Sequence, residues 1–118
     1  MRTVWLLRAG DVLASTEVTE GFLDRTRGVI GRSDLDGAML LLRTRSIHTV
    51  GVRFPLDVAF LDRDLVVVDT ARVRPWWITL PRRRGCNVLE AAAGSFERWH
   101  LAVGDQLEIR EPDRERGR

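Results

Sequence analysis

Ile47-His48-Thr49-Val50-Gly51-Val52-Arg53-Phe54-Pro55-Leu56-Asp57-Val58-Ala59-Phe60-Leu61-Asp62 is the stretch on which the reading of this chain turns. It opens as a polar turn carrying His48 and Arg53 and becomes an apolar strand. Pro55 has no N–H to give a ladder, so the strand starts just after it or lies at an edge there. Alternation puts Phe54, Leu56, Val58 and Phe60 on one face and Pro55, Asp57, Ala59 and Leu61 on the other. Asp57 therefore stands on an otherwise apolar face, where an unpaired carboxylate is costly. One reading has the backbone of loop 48–53 donate to Asp57 and so fix that loop. The other makes Asp57 part of a site.

Working outward, residues 3–8 and 12–18 are apolar and β-branched around Gly10-Asp11, a hairpin pattern. Thr19 can cap an amphipathic helix over residues 20–30, with Phe22, Leu23, Thr26, Val29 and Ile30 on one face and Gly31 at its end. Residues 38–42 form a short continuous apolar run, as in a strand covered on both faces. Asp62-Arg63-Asp64 reads as a turn into a β-rich run over 65–73 that Pro75 ends. Residues 76–85 form a loop in which Trp76 and Trp77, if extended, point to opposite sides, one to the core and one outward. A strand over 86–90, a helical turn over 94–99 and a closing strand over 106–110 complete the pattern. The expectation is an α+β fold, mostly β: a small β-barrel-like sheet with one early amphipathic helix and a short second helix. Residues 1–110 make one domain, and 111–118 read as a disordered charged tail.

The single Cys86 permits no internal disulfide and is expected to be a small buried thiol. The apolar run at residues 4–7 is far too short for a leader or a membrane span. A cytoplasmic, bacterial protein without a membrane partner, monomeric or weakly dimeric, is the expectation. All 19 basic residues are arginine, and the net charge is only +2. Residues 37–56 and 70–89 together hold eight arginines and no acid, which leaves −6 for the rest of the chain. If the fold joins these windows, they make one positive surface that attracts anions over about a Debye length.

Three ionisable residues have apolar neighbours: His48, Asp57 and Glu90. Within hydrogen-bond reach of one another they could support acid/base catalysis. With only His48 and His100 as histidines and no cysteine cluster, no metal site is expected; no phosphate loop or nucleophile elbow is present, and no cofactor is expected. Arg53, Arg74 and Trp76 are the candidate ligand-binding residues, offering guanidinium forks and a stacking face. The leading reading is a binding or accessory module for a small polar or anionic ligand or a partner peptide. An enzyme using His48 with Asp57 or Glu90 is the alternative. Single-stranded nucleic acid at loop 76–84 is a third, less favoured at so low a net charge.

The opening stretch resembles the signature of a bacterial and archaeal family, domain of unknown function 192, in which an Ile-His-Thr opening leads into a Pro-Leu-Asp strand. RTRGVIGR at 25–32, RPWW at 74–77, VLEAAAG at 88–94 and VGD at 103–105 follow the same order. The resemblance implies the same compact, mostly β fold and places His48, Asp57 and Glu90 on motif positions. It implies no reaction.

Overall fold

The computed structural model describes residues 2–19, 36–82 and 84–112. The apolar and β-branched runs become seven strands: β1 Arg2–Arg8, β2 Asp11–Thr19, β3 Ala38–Leu41, β4 Leu56–Leu61, β5 Val67–Val73, β6 Asn87–Ala92 and β7 Glu108–Arg110. They form one sheet in the order β5-β4-β6-β3-β2-β1-β7. β2 and β3 run parallel, and the other pairs are antiparallel. Gly37 makes the parallel pairing possible: its φ is +81°, and a Cβ there would lie 2.4 Å from the Ser15 carbonyl oxygen.

β4, β6 and β3 lie in the middle of the sheet, and their apolar residues are buried on both faces, as continuous runs require. One face carries Ala38, Leu40, Ala59, Leu61, Leu89 and Ala91; the other carries Met39, Leu41, Leu56, Val58, Phe60 and Val88. The short helix α1, Ser95–Trp99, packs Phe96 onto the first face. Its predicted position and length hold. β4 begins at Leu56, directly after Pro55, so the proline is spared a ladder position.

Two expectations are corrected, and two fall on residues outside those described. The sheet is not closed into a barrel: β5 and β7 are its edges. One isolated bridge, Val66 to Gln106, joins the chain beside those edges, and β7 has only 3 residues with which to extend it. Cys86 is exposed rather than buried, because β6 starts one residue later and buries Asn87, which turns its predecessor outward. The helix expected over 20–30 lies outside the described residues, as does most of the expected tail, 113–118. Glu111 is ion-paired with Arg2.

Candidate functional site

Asp57 and Glu90 sit on neighbouring strands, yet they face opposite ways. Asp57 pairs in register with Ala91 and Arg72, whereas Glu90 pairs with Val58 and Met39. Directly opposed residues share a face, and adjacent residues do not. The sheet therefore separates the two carboxylates.

Asp57 is 4% exposed and well supplied with donors. Its Oδ2 accepts from the Gly94 N–H at 2.9 Å and the Phe96 N–H at 3.0 Å, and its Oδ1 accepts from Arg72 Nε at 3.1 Å. The loop that Asp57 fixes is thus the turn entering α1, not loop 48–53. The reason is topological: the carboxylate points to the face on which α1 packs, and the Ile47–Val52 region covers the other.

Glu90 is 3% exposed, among Met39, Val58 and Val88. Burial pushes its carboxyl up from 4.5 to about 7, with desolvation the cause. His48 is exposed, and its Nδ1 accepts from the Val50 N–H at 3.3 Å. His48, Asp57 and Glu90 are not brought together into an acid/base group. Among the described residues, no three His, Cys, Asp or Glu side chains are grouped to hold a metal ion.

The structure does join the two acid-free windows. Residues 45–49 and 74–82 form an antiparallel ribbon centred on the bridge between His48 and Ile78, and a turn closed by the Val52 N–H on the Thr49 carbonyl leads from it to Arg53. The Thr49 N–H donates to the Trp77 carbonyl at 2.7 Å, the Trp76 N–H to the Thr49 carbonyl at 2.9 Å, and the Thr79 N–H to the Ile47 carbonyl at 2.9 Å. Buried Thr49 works from the inside: its hydroxyl donates to the Arg74 carbonyl at 2.7 Å and accepts from the Trp77 N–H at 2.7 Å. The Thr79 hydroxyl accepts from the Ile47 N–H at 2.9 Å. Ile47 and Val52 root the ribbon in the Glu90 face of the core.

The outward side is apolar and positive. Trp76 is 67% exposed, Ile78 67%, Leu80 76%, Trp77 49% and Val50 47%. These are five of the eight large hydrophobic residues exposed among the described residues. The expectation that one tryptophan enters the core fails because Trp76 has φ +59°, so the pair is not extended and strand alternation does not apply. The Arg74 guanidinium lies 3.9 Å from the centre of the Trp77 ring. Arg82 is held by Asp69 at 2.6 Å and stacks 4.2 Å from the centre of the Phe60 ring. Among the described residues, no carboxylate pairs with Arg45, Arg53, Arg74 or Arg84. Of the candidate binding residues, Arg74 and Trp76 lie on the ribbon, and Arg53 follows the turn that leaves it.

A family model described as Uncharacterized ACR, domain of unknown function 192, matches residues 5–109. The chain belongs to this family. A UPF0127 protein of Pyrococcus abyssi is 31% identical over 97 residues, covering 78% of this chain and 83% of the relative. The curated relatives, from Pyrococcus and Thermococcus, are archaeal and do not carry the expectation of a bacterial source. A Novosphingobium aromaticivorans protein of unknown function has the same fold, with a TM-score of 0.74 at 23% identity, over 90% of this chain and 83% of that one. A Sinorhizobium meliloti structure described as a putative transcription regulator matches with a TM-score of 0.75 at 25% identity, over 91% of this chain and 92% of that one. The family is of unknown function, and no helix among the described residues is long and apolar enough to cross a membrane.

Within the family stretch, the residues missed by sequence reading are Thr49, Thr79, Ile78 and Leu80. The threonines carry no signal until the two loops are paired. Ile78 and Leu80 alternate around Thr79 like a half-buried strand, and that pattern was legible in ITL at 78–80.

Proposed function

We propose that this protein is a binding module whose working surface is the ribbon of residues 45–49 and 74–82 with the turn that leads to Arg53, and that it takes an anionic partner. The observation that carries this reading is the coincidence, on one hydrogen-bonded element, of the exposed Trp76, Ile78 and Leu80 with Arg45 and Arg74, which pair with no carboxylate among the described residues. Exposed apolar groups scattered singly need no explanation, but a contiguous set marks an interaction surface. Arg53 and Arg74 supply the charge, and Trp76 supplies a flat apolar face. Because the threonine hydroxyls hold the ribbon in place, little ordering is left for the binding step.

Single-stranded nucleic acid is a second reading. It is favoured by two exposed tryptophans beside arginines and by the description of the Sinorhizobium protein as a putative transcription regulator. An NMR titration of the full chain with an acidic peptide, with oligothymidine and with anionic lipid tests the general proposal. Shifts of the Trp76 and Trp77 indole signals with at least one of these, fading at high salt and lost in Arg53→Ser/Arg74→Ser, are expected. If every anionic probe leaves the ribbon signals unmoved, the proposal fails.

A further inference from the structure

We infer that the partner of the ribbon is the surface of an anionic lipid bilayer. This rests on the binding-module reading above and names the chemistry of its partner.

The argument begins with the most exposed side chains. Leu80 at 76%, Ile78 at 67% and Trp76 at 67% stand out from the ribbon, alternating with Thr79, which is 8% exposed and turned inward. A side chain so open is not half-wrapped by neighbours. A bound small ligand draws its affinity from a concave, largely enclosing site, and a bound peptide from main-chain pairing or a groove. A bilayer interface is deformable and closes around projecting groups, so it needs no cavity. Aliphatic side chains enter the boundary between headgroups and acyl chains, and tryptophan settles at headgroup depth.

The charges fit the same partner. Arg45, Arg53, Arg74 and Arg84 lie on or beside the ribbon without a carboxylate partner among the described residues, and their guanidinium forks suit lipid phosphates. Attraction to an anionic leaflet is the established use of such basic segments. A second copy of the chain would set arginine against arginine. Nucleic acid would use the two indole faces, but Ile78 and Leu80, among the most exposed groups, have no part in base stacking. The expectation of no membrane partner was drawn from the lack of a spanning run, and a ribbon lying in the interface plane needs none.

The test is sedimentation of the full chain with vesicles of phosphatidylcholine alone and of phosphatidylcholine with phosphatidylserine. The chain should pellet with the serine-containing vesicles at least tenfold more than with neutral ones, and this excess should disappear at about 1 M salt, where the Debye length falls to about 3 Å. Leu80→Ser and Trp76→Ser should each reduce pelleting severalfold while the circular dichroism spectrum is unchanged, since both side chains are exposed. Arg53→Ser/Arg74→Ser should remove the preference for phosphatidylserine. Equal pelleting with neutral vesicles overturns the inference, as does full pelleting of the Leu80→Ser and Trp76→Ser variants. Failure to pellet, with the acidic peptide or oligothymidine still moving the indole signals, overturns the lipid assignment and leaves the binding module standing. Silence with every probe removes both. Soluble glycerophosphoserine separates headgroup from bilayer: displacement of the chain from vesicles by the free headgroup would assign a headgroup pocket and overturn the surface reading.

Discussion

The two faces of the sheet treat a buried carboxylate in opposite ways. On the α1 face, Asp57 is surrounded by donors, two of them backbone N–H groups that have no other assigned acceptor. On the ribbon face, Glu90 is surrounded by Met39, Val58 and Val88, and burial lifts its carboxyl to about 7. Both residues are acids on central strands with apolar neighbours in the sequence. The difference teaches that burial alone does not define a site; what the opposite layer offers decides whether a buried acid finds hydrogen-bond donors.

Breaking the paired side should have the largest effect. Asp57→Ala strands the Gly94 and Phe96 N–H groups, and each unmet buried donor costs about 1–3 kcal/mol, so a loss of about 4 kcal/mol is expected in denaturant unfolding. A loss below about 1 kcal/mol would mean that α1 is held by its own packing. On the other face the sign reverses. Between pH 4.5 and about 7 the folded chain keeps a proton on Glu90 that the unfolded chain has released, so stability falls as pH rises through that window and levels off above it. The full change is about 3 kcal/mol at about 1.4 kcal/mol per pKa unit. Glu90→Gln should therefore stabilise the protein at pH 8 by up to that amount and flatten the slope, which thermal melts at several pH values would read. An unchanged slope would place the titration elsewhere.

Two smaller effects sharpen the contrast. Thr49→Val keeps the shape but removes the hydroxyl that serves both the Arg74 carbonyl and the Trp77 N–H. A loss of about 2 kcal/mol is expected, together with faster hydrogen exchange confined to the ribbon. Exchange that speeds up over the whole sheet would show that the ribbon is not a separate unit. Arg72→Ala removes the charged partner of Asp57, but the Arg72 side chain is 58% exposed, so only about 0.5 kcal/mol should be lost. A much larger loss would mean that the ion pair, and not the two backbone donors, secures Asp57.

Much of the fold was legible in the chain. The hairpin of β1 and β2, the start of β4 after Pro55, the Asp62 turn and the short α1 all follow from local pattern, because alternation, proline and turn residues act over a few positions. The open sheet was not legible, since closure depends on whether β5 and β7 meet, and these strands are separated by more than thirty residues.

The candidate site divides in the same way. That Asp57 would be buried and would need partners, and that two long windows would carry arginine without acid, the sequence determined by itself: composition and period-two alternation do not depend on the rest of the fold. Which donors reach Asp57, that Glu90 points away from it, and that the two arginine windows zip into one ribbon with Trp76, Ile78 and Leu80 outside, only the tertiary structure decided. Each of these is a pairing between distant segments. Register, not residue type, sets which face a side chain takes, and a shift of one residue would have exchanged the surroundings of the two carboxylates.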